Sequence, residues 1–180
     1  DSGIRTSHNM FRDAAVPITV FGDFPTHRKI IAYVKASPTT DILFGDAAGA
    51  SYHGTHTSCT FAGNDAPFAA DLKDGLAKGA KIYFIDAGGG STGIIAPTDL
   101  NDYFLPAYTG NAGGAARVSS NSWGSDAAGA YTISSMTADQ FARSHPDFLI
   151  CFSNGNAGSA GSVGSPASGK NMLSSGGTQN

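Results

Sequence analysis

The chain has 180 residues, 41% of them apolar and 14% charged, which is enough hydrophobic material for one packed domain and excludes a disordered chain. Its 11 basic and 14 acidic side chains leave a net charge of -3, so it has no cationic footprint for nucleic acid. No stretch reaches the roughly 18 to 20 apolar residues of a membrane span.

The first four residues are Asp-Ser-Gly-Ile. Asp and Gly favour a turn, and a carboxylate buried at such a turn can also hold an imidazole by its Nδ1–H. Residues 10–29, MFRDAAVPITVFGDFPTHRK, are rich in Pro, Asp and aromatic side chains and predict a surface excursion. Strand-length apolar runs follow at 29–34, 81–85, 117–121 and 148–152, and helical patterns lie after His53, at 98–108 and at 135–145. Thr98 and Ser134 or Ser135 are the helix starts, the glycines at 110, 113 and 114 are stops, and Pro106 should kink or shorten its helix. The alternation of strand and helix, with little polar alternation inside several strands, predicts an α/β fold with a parallel sheet covered on both faces. Glycine clusters such as AGGGSTG and SNGNAGSAGSVGS predict loops with demanding backbone geometry. Cys59 and Cys151 are too few for a disulfide framework and read as small buried thiols.

Three groups of residues can carry chemistry. The pair in HGTHTS, His53 and His56, is three apart on one helix face, which admits metal binding, proton transfer or packing. The metal reading is weak. A zincin spaces its histidines four apart with a glutamate between, whereas Gly54 and Thr55 intervene here. The second group is the Asp1 turn. The third is the SNGNAGSAG loop after the run at 148–152, where a side-chain amide can donate to a developing oxyanion and glycines let a carbonyl approach. His8, His27 and His145 have no catalytic partner in the sequence and suit structural roles.

Taken in order, DSG, HGTH, an extended SSNSWG and GNAG resemble the subtilisin-like serine peptidases, the subtilases, over almost the whole chain. The phrases ARVSSNSWGSDAAGAYT and SPASGKNMLSSGG are similar to the branch that contains the oxidation-resistant alkaline proteases of bacilli. The resemblance implies a three-layer α/β fold with a mostly parallel central sheet flanked by helices, incomplete at both ends. Residues 1–180 would be a partial catalytic domain lacking the first strand and the serine-bearing C-terminal part. Asp1 and His53 take the places of the catalytic aspartate and histidine, His56 a structural place, and Asn156 that of the oxyanion donor. Gly88 and Gly89 within the segment 87–90, then Ser122, Trp123, Gly124 and Gly155, would line an extended peptide substrate. Trp123 is weighed equally between that role and packing. No Gly-Thr-Ser-Met-Ala stretch for the nucleophile occurs in the sequence; TISSMTAD, with Ser135, precedes Asn156 and reads as a helix start. The isolated chain is therefore expected to be inactive, with the serine C-terminal to residue 180.

By the same resemblance the partners are protein or peptide substrates, with neither nucleic acid nor membrane, and the protein is secreted. No cofactor is required for catalysis, no metal ligand is assigned, and a structural calcium has no readable ligand set. The excursion at 10–29 would flank the cleft. The competing reading is an inactive subtilase-like module that binds peptides.

Overall fold

A computed structural model of the chain describes residues 1–36, 41–46, 50–66, 73–89 and 93–177. They form two compact units, one of Asp1–Ala96 with Thr109–Ala115 and the other of Pro97–Tyr108 with Ala116–Asn180.

The first unit is built on a three-stranded sheet of β1 (Gly22–Asp23), β2 (Ile30–Lys35) and β3 (Ile82–Asp86) in that order. β2 runs parallel to β3 and antiparallel to β1. As the central strand it is buried from Ile30 to Tyr33, which explains a sequence with no polar alternation. Helix α1 (His53–Ala62) makes the connection between the two parallel strands. Its buried positions, Gly54, Thr55, Ser58 and Ala62, are small and mostly one turn apart, so the helix backbone can lie close to what it covers. The unit also holds an antiparallel pair of short strands, β4 (Gly88–Gly89) and β5 (Gly93–Ile94).

The excursion at 10–29 differs from its prediction. Met10, Phe11 and Ile18 belong to the same core as Ile4, Ile30, Tyr33, Ile82 and Phe84, so part of it is packed interior. Each such side chain contributes about 1.5 to 3 kcal/mol when fully buried. The Arg28 guanidinium pins the segment by donating to the carbonyls of Asn9 at 2.6 Å and Asn64 at 2.9 Å. His27 is buried and its Nδ1 accepts from the Lys29 and Ile30 N–H groups, which gives it the structural role expected of it.

The second unit holds three parallel strands, β6 (Val118–Asn121), β7 (Leu149–Ser153) and β8 (Leu173–Ser175). Helices α2 (Leu100–Thr109) and α3 (Ile133–Ser144) supply an aromatic core around Phe104. The Phe104 ring lies 5.4 Å from Phe141, 6.0 Å from Phe148 and 6.5 Å from Phe152, in the tilted and edge-on arrangements aromatic quadrupoles favour. Pro106 does not end α2, which continues to Thr109. The cap of α3 is Thr132, whose hydroxyl accepts from Ser135 N–H; Ser134 and Ser135 are already inside the helix. The buried Asp139 carboxylate on α3 accepts from the backbone N–H groups of Lys170 and Asn171 and from Tyr131 O–H, fixing the approach to β8. His145 sits at the end of α3, stacked on Phe141, another structural placement.

The architecture is α/β with parallel pairing dominant, as expected. The two thiols are half-buried rather than fully enclosed; desolvation still pushes Cys59 up to about 11 and raises Cys151, so neither is a ready thiolate.

Candidate active site

His53 is the first residue of α1, and 52 positions separate it from Asp1. The fold brings the two together: His53 Nδ1 lies 2.9 Å from Asp1 Oδ1. The imidazole is half-exposed, while the carboxylate is 10% exposed, so Asp1 is shielded and His53 faces outward. A carboxylate on Nδ1 selects the tautomer that carries its proton there, which leaves Nε2 as the basic nitrogen.

The carboxylate is itself fixed. Asp1 Oδ1 also accepts from Ser2 N–H at 2.7 Å, and Oδ2 accepts from Thr57 Oγ1 at 3.2 Å. Thr57 stands one turn after His53, so the helix that carries the imidazole also holds the carboxylate beside it. Backbone contacts lock the turn to the sheet, since Ala87 N–H donates to the Asp1 carbonyl at 2.8 Å.

The glycines of DSG and HGT have a common physical reason. A Cβ on Gly54 would lie 2.2 Å from Gly3 O, and one on Gly3 would lie 2.5 Å from Gly45 O. Gly3 also has φ +111°, a region open to glycine. The first turn of α1 thus packs directly against the backbone after Asp1, and this close approach brings Asp1 and His53 within hydrogen-bonding distance.

Helix α1 has no cap of its own. Its N-cap residue Tyr52 is left-handed at φ 53° and makes no side-chain cap hydrogen bond. The open N–H groups are met from outside: Gly54 N–H donates to Ser2 Oγ at 3.0 Å and Thr55 N–H to Asp46 Oδ2 at 2.8 Å. His56, three residues on, is exposed, and its carbonyl accepts from Thr60 Oγ1 at 3.1 Å. Among the described residues no group of three His, Cys, Asp or Glu side chains is placed to hold a metal ion.

At the end of β3, Asp86 is fully buried, and desolvation pushes its carboxyl up to about 6 against opposing hydrogen bonds from Tyr33 and Gly88. Tyr33 O–H donates to Asp86 Oδ2 at 2.6 Å, and the phenol oxygen accepts from the Ile4 and Gly45 N–H groups. Gly88 N–H donates to Asp86 Oδ1 at 2.9 Å, and the Gly88 carbonyl accepts from Leu43 N–H at 3.4 Å. The expected substrate segment at Gly88 and Gly89 is strand β4, which pairs with β5 on one side and with Ile42 on the other. Residue 90 lies outside the described residues.

The remaining expected site residues lie in the second unit. Ser122, Trp123 and Gly124 follow β6 directly, and Ser125 exchanges two backbone hydrogen bonds with Ser165, both at 2.9 Å. A Cβ on Gly124 would lie 2.6 Å from Ser165 O, which requires glycine there. Trp123 is half-buried, with ring centroids 5.4 Å from Tyr103 and 5.1 Å from Phe152, so it packs against the aromatic core. Gly155 and Asn156 follow β7 on an exposed loop, Gly155 at φ +98°. The Asn156 amide makes no hydrogen bond among the described residues, whereas the Asn154 backbone is tied to Ser175 and Gly164.

Ser2, Asp46 and Thr57 are the supporting groups that sequence reasoning did not single out. Thr57 had a signal in its spacing of four from His53. Asp46 had none, because its partners are fixed by the fold.

The chain matches the family model described as the subtilase family over residues 1–180. It is similar to three proteins of Dictyostelium discoideum described as serine protease/ABC transporter B family proteins. It is 32% identical to tagB over 185 residues, covering 99% of this chain and 9% of that protein. The identity to tagD is 33% over 188 residues, covering 99% and 10%, and to tagA 32% over 160 residues, covering 87% and 8%. The chain spans about a tenth of the length of these curated relatives. With motifs, pairing and family model in agreement along its whole length, the chain belongs to the subtilase family.

Proposed function

We propose that the complete protein is a serine endopeptidase that hydrolyses peptide bonds in protein or peptide substrates, with His53 as general base and Asp1 as the group that orients it. The observation that carries this reading is the 2.9 Å contact between His53 Nδ1 and a shielded Asp1 carboxylate. The nucleophile is a serine C-terminal to residue 180, and residues 1–180 are part of a catalytic domain that is inactive without it. His53 Nε2 takes the proton of the serine hydroxyl as its oxygen attacks the substrate carbonyl carbon. The oxyanion that forms is received by the Asn156 amide and a backbone N–H. His53 then delivers its proton to the leaving amine as the C–N bond breaks. Water repeats the sequence on the acyl-enzyme and restores the serine.

Gly88, Gly89, Ser122, Gly124 and Gly155 supply main-chain contacts along the peptide, with Trp123 as a wall braced by its aromatic neighbours. The SSNSWGSDAAGAYT phrase supports placing the protein near the oxidation-resistant alkaline protease branch, and the family supports secretion. Catalysis in this scheme uses no cofactor. The test is pre-steady-state hydrolysis of an activated ester or anilide peptide by the complete protein. A burst equal to the enzyme concentration is expected with the ester, reporting the acyl-enzyme. Peptide binding without any turnover would instead establish an inactive binding module.

A further inference from the structure

Asp46 lies seven residues before His53, in a segment whose sequence carries no recognised motif. Its carboxylate nevertheless reaches both halves of the Asp1–His53 pair. Oδ1 accepts from Ser2 Oγ at 2.9 Å, and Oδ2 accepts from Thr55 N–H at 2.8 Å and Thr55 Oγ1 at 2.6 Å. Ser2 immediately follows Asp1, and Thr55 is two residues after His53. The two arms are cross-linked, because Ser2 Oγ also accepts from Gly54 N–H at 3.0 Å and Thr55 Oγ1 accepts from Arg5 N–H at 2.9 Å.

We propose that Asp46 is a positioning residue that sets the Asp1–His53 geometry, acting as a shared cap that clamps the Asp1 turn to the first turn of α1. This deepens the peptidase reading above and rests on it for its kinetic consequences, though not for its structural one. Three features make a carboxylate necessary. First, α1 begins at a left-handed Tyr52 with no side-chain cap, so its open N–H groups need an acceptor from elsewhere. Second, negative charge at a helix N-terminus is favourable, and hydrogen bonds to an ionised acceptor are about twice as strong as neutral ones. Third, all three contacts on Asp46 are accepted, and only a carboxylate accepts on both oxygens.

An amide at this position has one oxygen and one NH2. If the oxygen keeps Thr55, the NH2 faces Ser2 Oγ and forces that hydroxyl proton to turn away. Ser2 would still accept from Gly54, but the link that fixes the Asp1 turn changes direction. The carboxylate of Asp1 receives its closest backbone donor from Ser2 N–H at 2.7 Å, so a shift of Ser2 is passed directly to the acid. Misplacement on the order of 1 Å at a remote residue can cost about 100-fold in rate.

The experiment compares Asp46→Asn, Asp46→Ala and Asp46→Glu with the parent in the complete protein, and uses Asp139→Asn as a control that removes a buried carboxylate clamp from the second unit. Kinetics are normalised to folded protein, and 15N NMR of the His53 ring reports its tautomer without reference to activity. The expected result is a kcat loss of roughly 10- to 100-fold for Asp46→Asn and Asp46→Ala with KM within about twofold. The His53 ring should change from a single Nδ1–H tautomer to a mixture, and Asp46→Glu should recover part of both. Asp139→Asn should lower the melting temperature while the His53 ring signature stays as in the parent.

If Asp46→Asn and Asp46→Ala lower the melting temperature but leave the His53 tautomer unchanged, the positioning role is wrong and the clamp is structural only. If the parent has no peptidase activity but its His53 tautomer is lost on substitution of Asp46, the peptidase reading fails and the clamp stands.

Discussion

The Asp1–Gly3 turn and the Gly155–Gly158 loop both follow the subtilase pattern, and both depend on glycine, for opposite reasons. In the first, Ser2, Gly3 and Ile4 are buried, and the glycines there and in HGT are required because another backbone lies where a Cβ would stand. In the second, every residue from Gly155 to Gly161 is exposed; Gly155, Gly158 and Gly161 have positive φ, with nothing within 4 Å of an added Cβ. One set of glycines makes room for a contact and the other shapes a free backbone. The proposed acid and base therefore sit in a rigid, cross-bonded setting, while the proposed oxyanion donor stands on a loop whose conformation is written mainly in its own dihedrals.

That contrast can be broken most severely at the acid. Asp1→Asn in the complete protein should lower kcat by about 10,000-fold, because an amide no longer fixes the Nδ1–H tautomer; the magnitude is the one known for serine peptidase triads, subtilisin included. Asn156→Ala should lower kcat by roughly 100- to 1,000-fold, a range set by the worked case of subtilisin itself. Because the Asn156 amide is exposed and makes no hydrogen bond within the described chain, the melting temperature should be unchanged.

The two kinds of glycine separate in one pair of variants. Gly54→Ala puts a methyl group against Gly3 O and should cost about 1 to 3 kcal/mol of stability while displacing His53 from Asp1. Gly155→Ala meets no atom and should cost only the left-handed strain, about 1 kcal/mol, with the His53 ring unaffected. Equal effects of the two on the His53–Asp1 pair would show that the contact between Gly54 and Gly3 does not set it.

A pH-dependent effect follows from Asp86. Its folded carboxyl is raised to about 6 from a reference of 3.8. Between those values the folded state holds a proton that the unfolded chain has released, so stability falls as pH rises through the window. The loss from this group is on the order of 3 kcal/mol, complete about one unit above pH 6. Asp86→Asn should remove that slope from a plot of unfolding free energy against pH. An unchanged slope would assign the pH dependence to other groups.

The sequence made the parts with strong local signals legible. β2, β3, β6 and β7 lie within about a residue of the apolar runs, and DSG and HGTH identify the two residues that meet at 2.9 Å. β8 was missed because Leu173–Ser175 is short, with Leu173 and Ser175 exposed, and is a strand only through pairing with β7. The β4–β5 pair left no trace for a similar reason, since Gly88 and Gly89 have no side chains to show a period. The start of α3 was displaced by two residues because Ser134 and Ser135 look like caps, whereas Thr132 is the hydroxyl that meets an open N–H. Asp46 illustrates a wider limit: a carboxylate in an Ala- and Gly-rich segment reads as solvated until the fold brings Ser2 and Thr55 to it.

The central claim is that His53, oriented by Asp1, activates a serine. The most direct measurement is labelling of the complete protein by a fluorescent serine-directed phosphonate, with the parent and His53→Ala compared at equal folded concentration. The parent should be labelled once per chain at a serine C-terminal to residue 180, with the rate in His53→Ala reduced by at least about 10,000-fold. Labelling of His53→Ala at the parent rate, or none of either protein, would contradict it.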